Sequence, residues 1–138
     1  MKIRKVFKLH ARLSKMPKFK KHTIIVEKTI LSLNKINSWR YAKQFYRIRE
    51  EKEAWGAVIL AQLSGYMKAT GKRKITITSY RKRRIDQDNL KGGAKQLLDA
   101  LKALQLIKDD SLKWVSVKYN PQVLDGKNPR TKIEIEEM

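Results

Sequence analysis

The apolar residues of this 138-residue chain follow two different periods, and the order of these periods restricts the fold more than any other feature. Helical spacing of three and four residues runs over residues 41–68 and 94–106. β-branched or alternating residues, which are typical of strands, fill residues 23–33, 74–80, 114–119 and 131–136. This order predicts an α/β (α+β) fold, a small mixed sheet with two main helices packed on one face. Residues 121–129 read as a polar turn that would join the last two strands as an antiparallel hairpin.

The two helical segments each carry one apolar face. The stripe of the first segment comprises Tyr41, Phe45, Ile48, Trp55, Ile59, Leu63 and Tyr66. Aromatic residues at this spacing indicate core packing far more often than a surface for stacking bases. Residues 34–40 are expected to form a turn before this helix, and Gly71 to end it. The stripe of the second segment comprises Ala94, Leu97, Leu98, Leu101 and Leu104.

The charge of the chain points to a polyanionic partner. There are 33 Lys and Arg residues against 13 Asp and Glu, which gives a net charge of +20. So much self-repulsion in one small domain is typical of proteins that bind nucleic acid. A hydrophobic content of 41% is still sufficient for a core. The absence of cysteine excludes a disulfide scaffold, a thiolate zinc site and a cysteine nucleophile.

The sequence contains no apolar run near the ~20 residues of a membrane span, and no apolar stretch follows the basic start as a signal peptide requires. We therefore expect a soluble cytoplasmic protein. Residues 1–22 are rich in Lys and Arg, contain no acid and are interrupted by Pro17. They are expected to form a basic arm that is disordered until it meets nucleic acid, or else a solvated terminus. Residues 23–138 would form the single domain.

Aspartates gather in one part of this basic chain. Five of its six aspartates lie within 25 residues: Asp86, Asp88, Asp99, Asp109 and Asp110. The run Arg81, Lys82, Arg83 and Arg84 directly precedes them and would contact phosphates. Carboxylates beside such a run repel a polyanion, unless a bound divalent cation reverses the sign of the interaction.

The spacing of the aspartates is compatible with such a cation site. Asp86 and Asp88 are two residues apart, so in an extended segment both side chains leave the same face. Asp109 and Asp110 follow the second helix, where the chain can return beside that pair. Mg²⁺ held there would polarise a phosphoryl group and generate hydroxide. The alternative is that these aspartates are ordinary turn and helix-cap residues.

Lys95 also allows two interpretations. It can form an i, i+4 ion pair with Asp99, which contributes only a few tenths of a kcal/mol. It can instead reach the phosphate and offset the charge that gathers in the transition state.

The segment 85–90 (IDQDNL), followed by Lys95, by 99–101 (DAL) and by 109–111 (DDS), resembles the signature of the RusA-type Holliday-junction resolvases. These are small, basic, homodimeric endodeoxyribonucleases of bacteria and their phages or prophages. The resemblance is specific over about residues 80–118 and does not cover residues 1–22. It implies paired nicking of four-way DNA junctions with Mg²⁺ or Mn²⁺ as cofactor.

The resemblance also implies site residues. Asp86, Asp88 and Asp110 correspond to the metal-binding catalytic carboxylates. The family lysine lies four residues before the Asp-Ala-Leu motif, as Lys95 does here, but an insertion of about three residues leaves Lys91 as a competitor. Lys91 and the run 81–84 would contact DNA. Two other functions stay open at this point: a non-catalytic nucleic-acid binder, and a nuclease that acts on flaps or forks.

Overall fold

The computed structural model describes residues 21–63 and 68–138, so nearly all of the predicted arm lies outside the described residues. In chain order the elements are β1 (His22–Val26), α1 (Leu33–Asn37), α2 (Tyr41–Gln62), β2 (Arg73–Arg81), α3 (Gln87–Gly93), α4 (Lys95–Ala103), β3 (Val115–Tyr119), β4 (Val123–Leu124) and β5 (Arg130–Glu137). In these two ranges, no helix has the length and apolar character needed to cross a bilayer.

The sheet is mixed, as predicted, with the strand order β1-β5-β2-β3. β5 is antiparallel to both β1 and β2, whereas β2 and β3 are parallel, with Arg73 opposite Val115 and Ile77 opposite Tyr119. The short β4 extends the sheet beside the end of β2. The predicted hairpin between the last two long strands is wrong, because β2 lies between β3 and β5. The helices α3 and α4 return the chain to the amino end of β2, and this crossover makes β3 parallel.

The core lies between one face of the sheet and the helices. The sheet contributes Ile24, Val26, Ile75, Ile77, Ile133 and Ile135, and the helices contribute Trp55, Ile59, Leu90, Leu97 and Leu101, all almost fully buried. Each buried aliphatic side chain of this kind contributes about 1.5–3 kcal/mol relative to its exposed state. The predicted apolar stripe of the second helical segment is confirmed, since Ala94, Leu97 and Leu101 are inaccessible to solvent.

Two predictions about the first part of the chain are wrong. The first strand ends at Val26, well before residue 33, and the segment expected to be a turn contains α1. Ser32 caps this short helix, because its Oγ accepts a hydrogen bond of 3.1 Å from the Lys35 N–H. Ser and Asn residues that suit a turn also suit a helix start, since their side chains bond to nearby backbone groups.

The long helix α2 also differs from its prediction. It ends at Gln62 instead of Gly71, and Leu63 has an extended backbone with ψ 125°. Tyr41, Ile48 and Trp55 are seven residues apart and share a helix face, yet Tyr41 is 94% exposed and Phe45 70% exposed, whereas Trp55 is buried. The expectation that these two aromatic residues belong to the core is therefore wrong. The elements that cover Trp55 leave the first turns of the helix uncovered. Tyr66 lies outside the described residues.

Candidate functional site

The aspartate-rich segment starts where the chain leaves the central strand β2. Ile85 is held there by Gln122, whose Oε1 accepts from the Ile85 N–H at 3.0 Å and whose Nε2 donates to the Ile85 carbonyl at 2.7 Å. This pair of bonds fixes the backbone directly before Asp86. Asp86 then forms the N-cap of α3, with φ −68° and ψ 159°. Asp88 lies exposed in the first turn, so the two do not form the extended pair that their spacing suggested.

Asn89 binds Asp86 and a second part of the chain. Its backbone N–H donates to Asp86 Oδ1 at 2.9 Å, and its side-chain Nδ2 donates to Oδ2 at 2.7 Å. The backbone hydrogen bond, and then the side-chain one, lower the pKa of Asp86 below its usual value, because both favour the charged carboxylate. Asn89 Oδ1 in turn accepts from the Asn34 N–H at 2.9 Å. The start of α1 is thereby bound to the start of α3.

Two glycines allow α3 to approach the segment before α1. A Cβ on Gly93 would lie 1.6 Å from the carbonyl oxygen of Leu31, and one on Gly92 would lie 2.7 Å from the Leu33 Cδ2. Only glycine permits such backbone contact at residue 93. This close approach positions the aspartate segment against the chain before α1.

A second group of charges lies along α4. Gln105 has a left-handed backbone (φ 61°), and the Leu106 N–H donates to the Leu101 carbonyl at 2.9 Å. The chain then runs back beside the helix, where Lys102 Nζ lies 3.0 Å from Asp109 Oδ1. This contact, supported by the Asp110 N–H, lowers the pKa of Asp109.

Lys95 lies at the centre of this second group. Its Nζ is 3.8 Å from Asp99 Oδ1 and 3.8 Å from Asp110 Oδ2, and the side chain is mostly exposed. Asp99 also pairs with Lys52 of α2 at 3.0 Å. Both interpretations of Lys95 are thus compatible with its position, because it pairs with Asp99 and also reaches the predicted site residue Asp110. Lys91 differs, since its Nζ lies 5.9 Å from the centre of the Tyr119 ring.

A family model described as endodeoxyribonuclease RusA matches residues 11–136 of the 138 residues. The chain belongs to the RusA endodeoxyribonuclease family. Members of this family are Holliday-junction resolvases. The match is much longer than the motif region 80–118 and includes part of the basic segment 1–22. Among curated proteins, none matches the chain.

The carboxylates predicted to hold a metal ion in this RusA-family chain lie in two groups. Asp86 follows the carboxyl end of β2, whereas Asp110 precedes β3, whose amino end pairs with the amino end of β2. Across residues 21–63 and 68–138, no three His, Cys, Asp or Glu side chains are clustered in a way that would hold a metal ion. The oxygen donors themselves suit a hard cation, and Mg²⁺ is commonly bound by one or two carboxylates together with substrate phosphates.

The four basic residues of the run 81–84, which were predicted to bind DNA, differ in exposure. Lys82, Arg83 and Arg84 are exposed. Arg81 is half-buried, and its Nη1 donates to the Ile30 carbonyl at 2.6 Å and to Ser79 Oγ at 3.2 Å. Burial lowers the pKa of Arg81. Arg81 therefore holds the segment after β1 against β2.

The sequence interpretation missed the role of Asn89. Neither Asn89 nor Asn34 was among the residues predicted for the site. The sequence did contain one signal for the contact between Asp86 and Asn89. An aspartate followed three residues later by an asparagine, at the start of a helix, favours a capping hydrogen bond. The link to the Asn34 backbone had no signal in the sequence, because it depends on the packing of α1 against α3.

Proposed function

We propose that the protein resolves four-way (Holliday) DNA junctions by paired nicks during recombination and repair, as a homodimeric endodeoxyribonuclease that requires Mg²⁺ or Mn²⁺. The family match over residues 11–136 carries this proposal. Two contacts agree with it. Asn89 donates two hydrogen bonds to the Asp86 carboxylate, and the Lys95 ammonium lies beside Asp110.

In this proposal the aspartates hold the cation and the lysine stabilises charge. Asp86 and Asp88 in the first group, and Asp110 in the second, are the proposed metal-binding residues, and Asn89 orients the Asp86 carboxylate. When bound, the cation supplies Lewis-acid activation of the phosphate and of the attacking water. Asp86 is ionised at neutral pH, as any exposed aspartate is, and its hydrogen bonds lower its pKa further.

Lys95 is the proposed catalytic lysine. Its ammonium lies beside Asp110, whereas the ammonium of Lys91 lies over the Tyr119 ring. A positive charge next to the reacting phosphate lowers the energy of the transition state, in which negative charge accumulates on the non-bridging oxygens. The exposed residues Lys82, Arg83 and Arg84 then contact the DNA backbone next to Asp86.

The symmetry of the proposed substrate supports a dimer. A four-way junction offers two equivalent phosphates, and a two-fold homodimer offers two equivalent sites. Each subunit would make one of the two nicks.

Cleavage of labelled four-way, forked and linear duplex DNA, with Mg²⁺ or with EDTA, tests the proposal. We expect paired nicks at the crossover of the four-way junction with Mg²⁺ and none with EDTA. Asp88→Asn should abolish cleavage but not junction binding, whereas Glu53→Gln, at an exposed carboxylate of α2 that pairs with Arg49, should cleave normally. Equal cutting of forks would favour a fork or flap nuclease. Binding without any cutting would favour a non-catalytic binder and overturn the proposal.

A further inference from the structure

A basic groove lies between α1 and the first turns of α2. It has a volume of about 270 Å³ and is lined by Lys35, Ser38, Trp39, Arg40, Lys43 and Arg47. All four charged residues are cations, and no carboxylate lines the groove. Within the described ranges none of the four forms an ion pair. Four unneutralised cations around one cavity provide a site for phosphate groups.

One aromatic side chain, Trp39, lines this groove, and two others lie on the neighbouring surface of α2. Trp39 is half-buried in it, and the Arg47 guanidinium carbon lies 5.7 Å from the centre of its ring. Phe45 and Tyr46, in the same turns of α2, are exposed and contact each other edge to face with ring centres 5.9 Å apart. Exposed aromatic rings between cations are the pattern with which proteins bind DNA strands whose bases are unpaired.

We infer that this groove binds the backbone phosphates of a DNA strand next to the crossover, and that Phe45 and Tyr46, on the neighbouring surface of α2, stack on bases that unpair at the crossover when the junction binds. The inference rests on the proposed junction substrate and adds a second contact surface to it. This surface is separate from the predicted DNA-binding residues 81–84 and 91.

The groove is continuous with the aspartate segment. Lys35 follows Asn34 in α1, the Asn34 N–H donates to Asn89 Oδ1, and Asn89 binds Asp86. A strand whose phosphate lies at Asp86 can therefore continue along α1 into the groove.

Charge favours DNA over a second copy of the chain as the occupant. Each copy carries a net charge of +20, so a dimer built on the groove would place unneutralised cations opposite one another. A DNA strand has the complementary charge, and its bases provide flat apolar surfaces for the exposed rings.

Junction binding in EDTA, where no cleavage occurs, tests the phosphate contacts. The groove variant is Lys43→Ala/Arg47→Ala. Its matched control is Lys68→Ala/Lys72→Ala, which removes two exposed lysines at the amino end of β2, whereas Asp86 lies beyond the carboxyl end. We expect the groove variant alone to lower the slope of log K against log salt concentration, by about one for each phosphate that it no longer binds. Equal slopes for the two variants would overturn the inference.

The proposed stacking of bases on Phe45 and Tyr46 is tested with a second variant, Phe45→Leu/Tyr46→Leu. We expect it to bind four-way junctions and single strands about tenfold more weakly, with an unchanged salt slope and an unchanged mass in sedimentation. A loss of dimer mass with unchanged affinity of the remaining species for DNA would instead assign the rings to subunit contact and overturn this part. If the parent protein fails to cut junctions in Mg²⁺, the proposed function fails, while these binding results still decide the groove.

Discussion

Asn89 donates two hydrogen bonds to the same carboxylate, because its backbone N–H reaches one oxygen of Asp86 and its side-chain amide reaches the other. The orientation of Asp86 therefore depends on a neighbour that carries no charge. Asn89 acts as a positioning residue in the proposed site, since it contacts Asp86 and the Asn34 backbone.

Replacement of Asn89 by alanine should separate cleavage from binding. The backbone bond to Asp86 survives, but the side-chain bonds to Asp86 and to Asn34 disappear. We expect junction cleavage to fall about 10- to 100-fold, because a misplaced catalytic group has that effect. Junction binding in EDTA should change less than about threefold. Asn128→Ala, in the loop before β5, is the control, and an Asn89→Ala protein that cleaves as fast as this control would contradict the positioning role.

Substitution of the two candidate lysines should distinguish them. We expect Lys95→Met to lower the rate of single-turnover cleavage about 100-fold or more, because it removes the charge beside Asp110. Lys91→Met removes a positive charge that lies over the Tyr119 ring. It should leave the rate at which the bound junction is cleaved nearly unchanged. The opposite ranking would assign the catalytic role to Lys91.

A methyl group on Gly93 should destabilise the fold. It would meet the Leu31 carbonyl oxygen, so the two segments must separate, and we expect Gly93→Ala to lower the free energy of unfolding by about 3 kcal/mol or more. Gly56→Ala, at a helix position with no atom near the added Cβ, should instead raise it by roughly 0.5–1 kcal/mol. Urea unfolding of the two variants measures both changes, and a Gly93→Ala protein of unchanged stability would refute the close contact.

The stability of the sheet should depend on pH through Glu134. Its pKa is lowered chiefly by the hydrogen bond from Lys21, whose Nζ lies 2.7 Å from Oε2. A lowered pKa in the folded state means that the stabilisation is present above the pKa of the unfolded state and disappears as pH falls through the folded value. We expect a loss of up to about 1 kcal/mol as pH falls below about 4.5.

Glu134→Gln should remove this acid-dependent part of the unfolding free energy. Glu136→Gln, on the same strand and with a longer 3.5 Å contact to Lys21, should remove less. Identical pH profiles for the parent and Glu134→Gln would show that the contact contributes nothing.

The sequence predicted features that depend on local spacing. The buried stripe of α4 follows from the three- and four-residue steps between Leu97 and Leu104, and the mixed sheet class follows from the order of elements. Strand neighbours were not predictable in the same way, because β3 and β5 are separated by a strand that lies some 40 residues earlier in the chain.

Local spacing was also insufficient to predict which helix faces are buried and how the candidate site is arranged. Periodicity placed Tyr41 and Phe45 on the face of Trp55, but it carries no information on whether another element covers that face. The D-x-D-N motif identified the segment from Asp86 to Asn89, whereas its capping geometry depends on where α3 begins. The position of Asp110 beside Lys95 depends on the left-handed Gln105, a residue type with no strong preference for that conformation.

The two groups of the candidate site have separate supports. Asp86 is fixed through Ile85 and Gln122 to the end of the central strand, whereas Asp110 is carried by the segment that leaves α4 at Gln105. Insertions or deletions between α4 and β3 would therefore displace Asp110 and leave Asp86 in place. In the proposed mechanism, a change in the length of this connection would therefore alter the rate of cleavage and leave the DNA contacts around Asp86 unchanged.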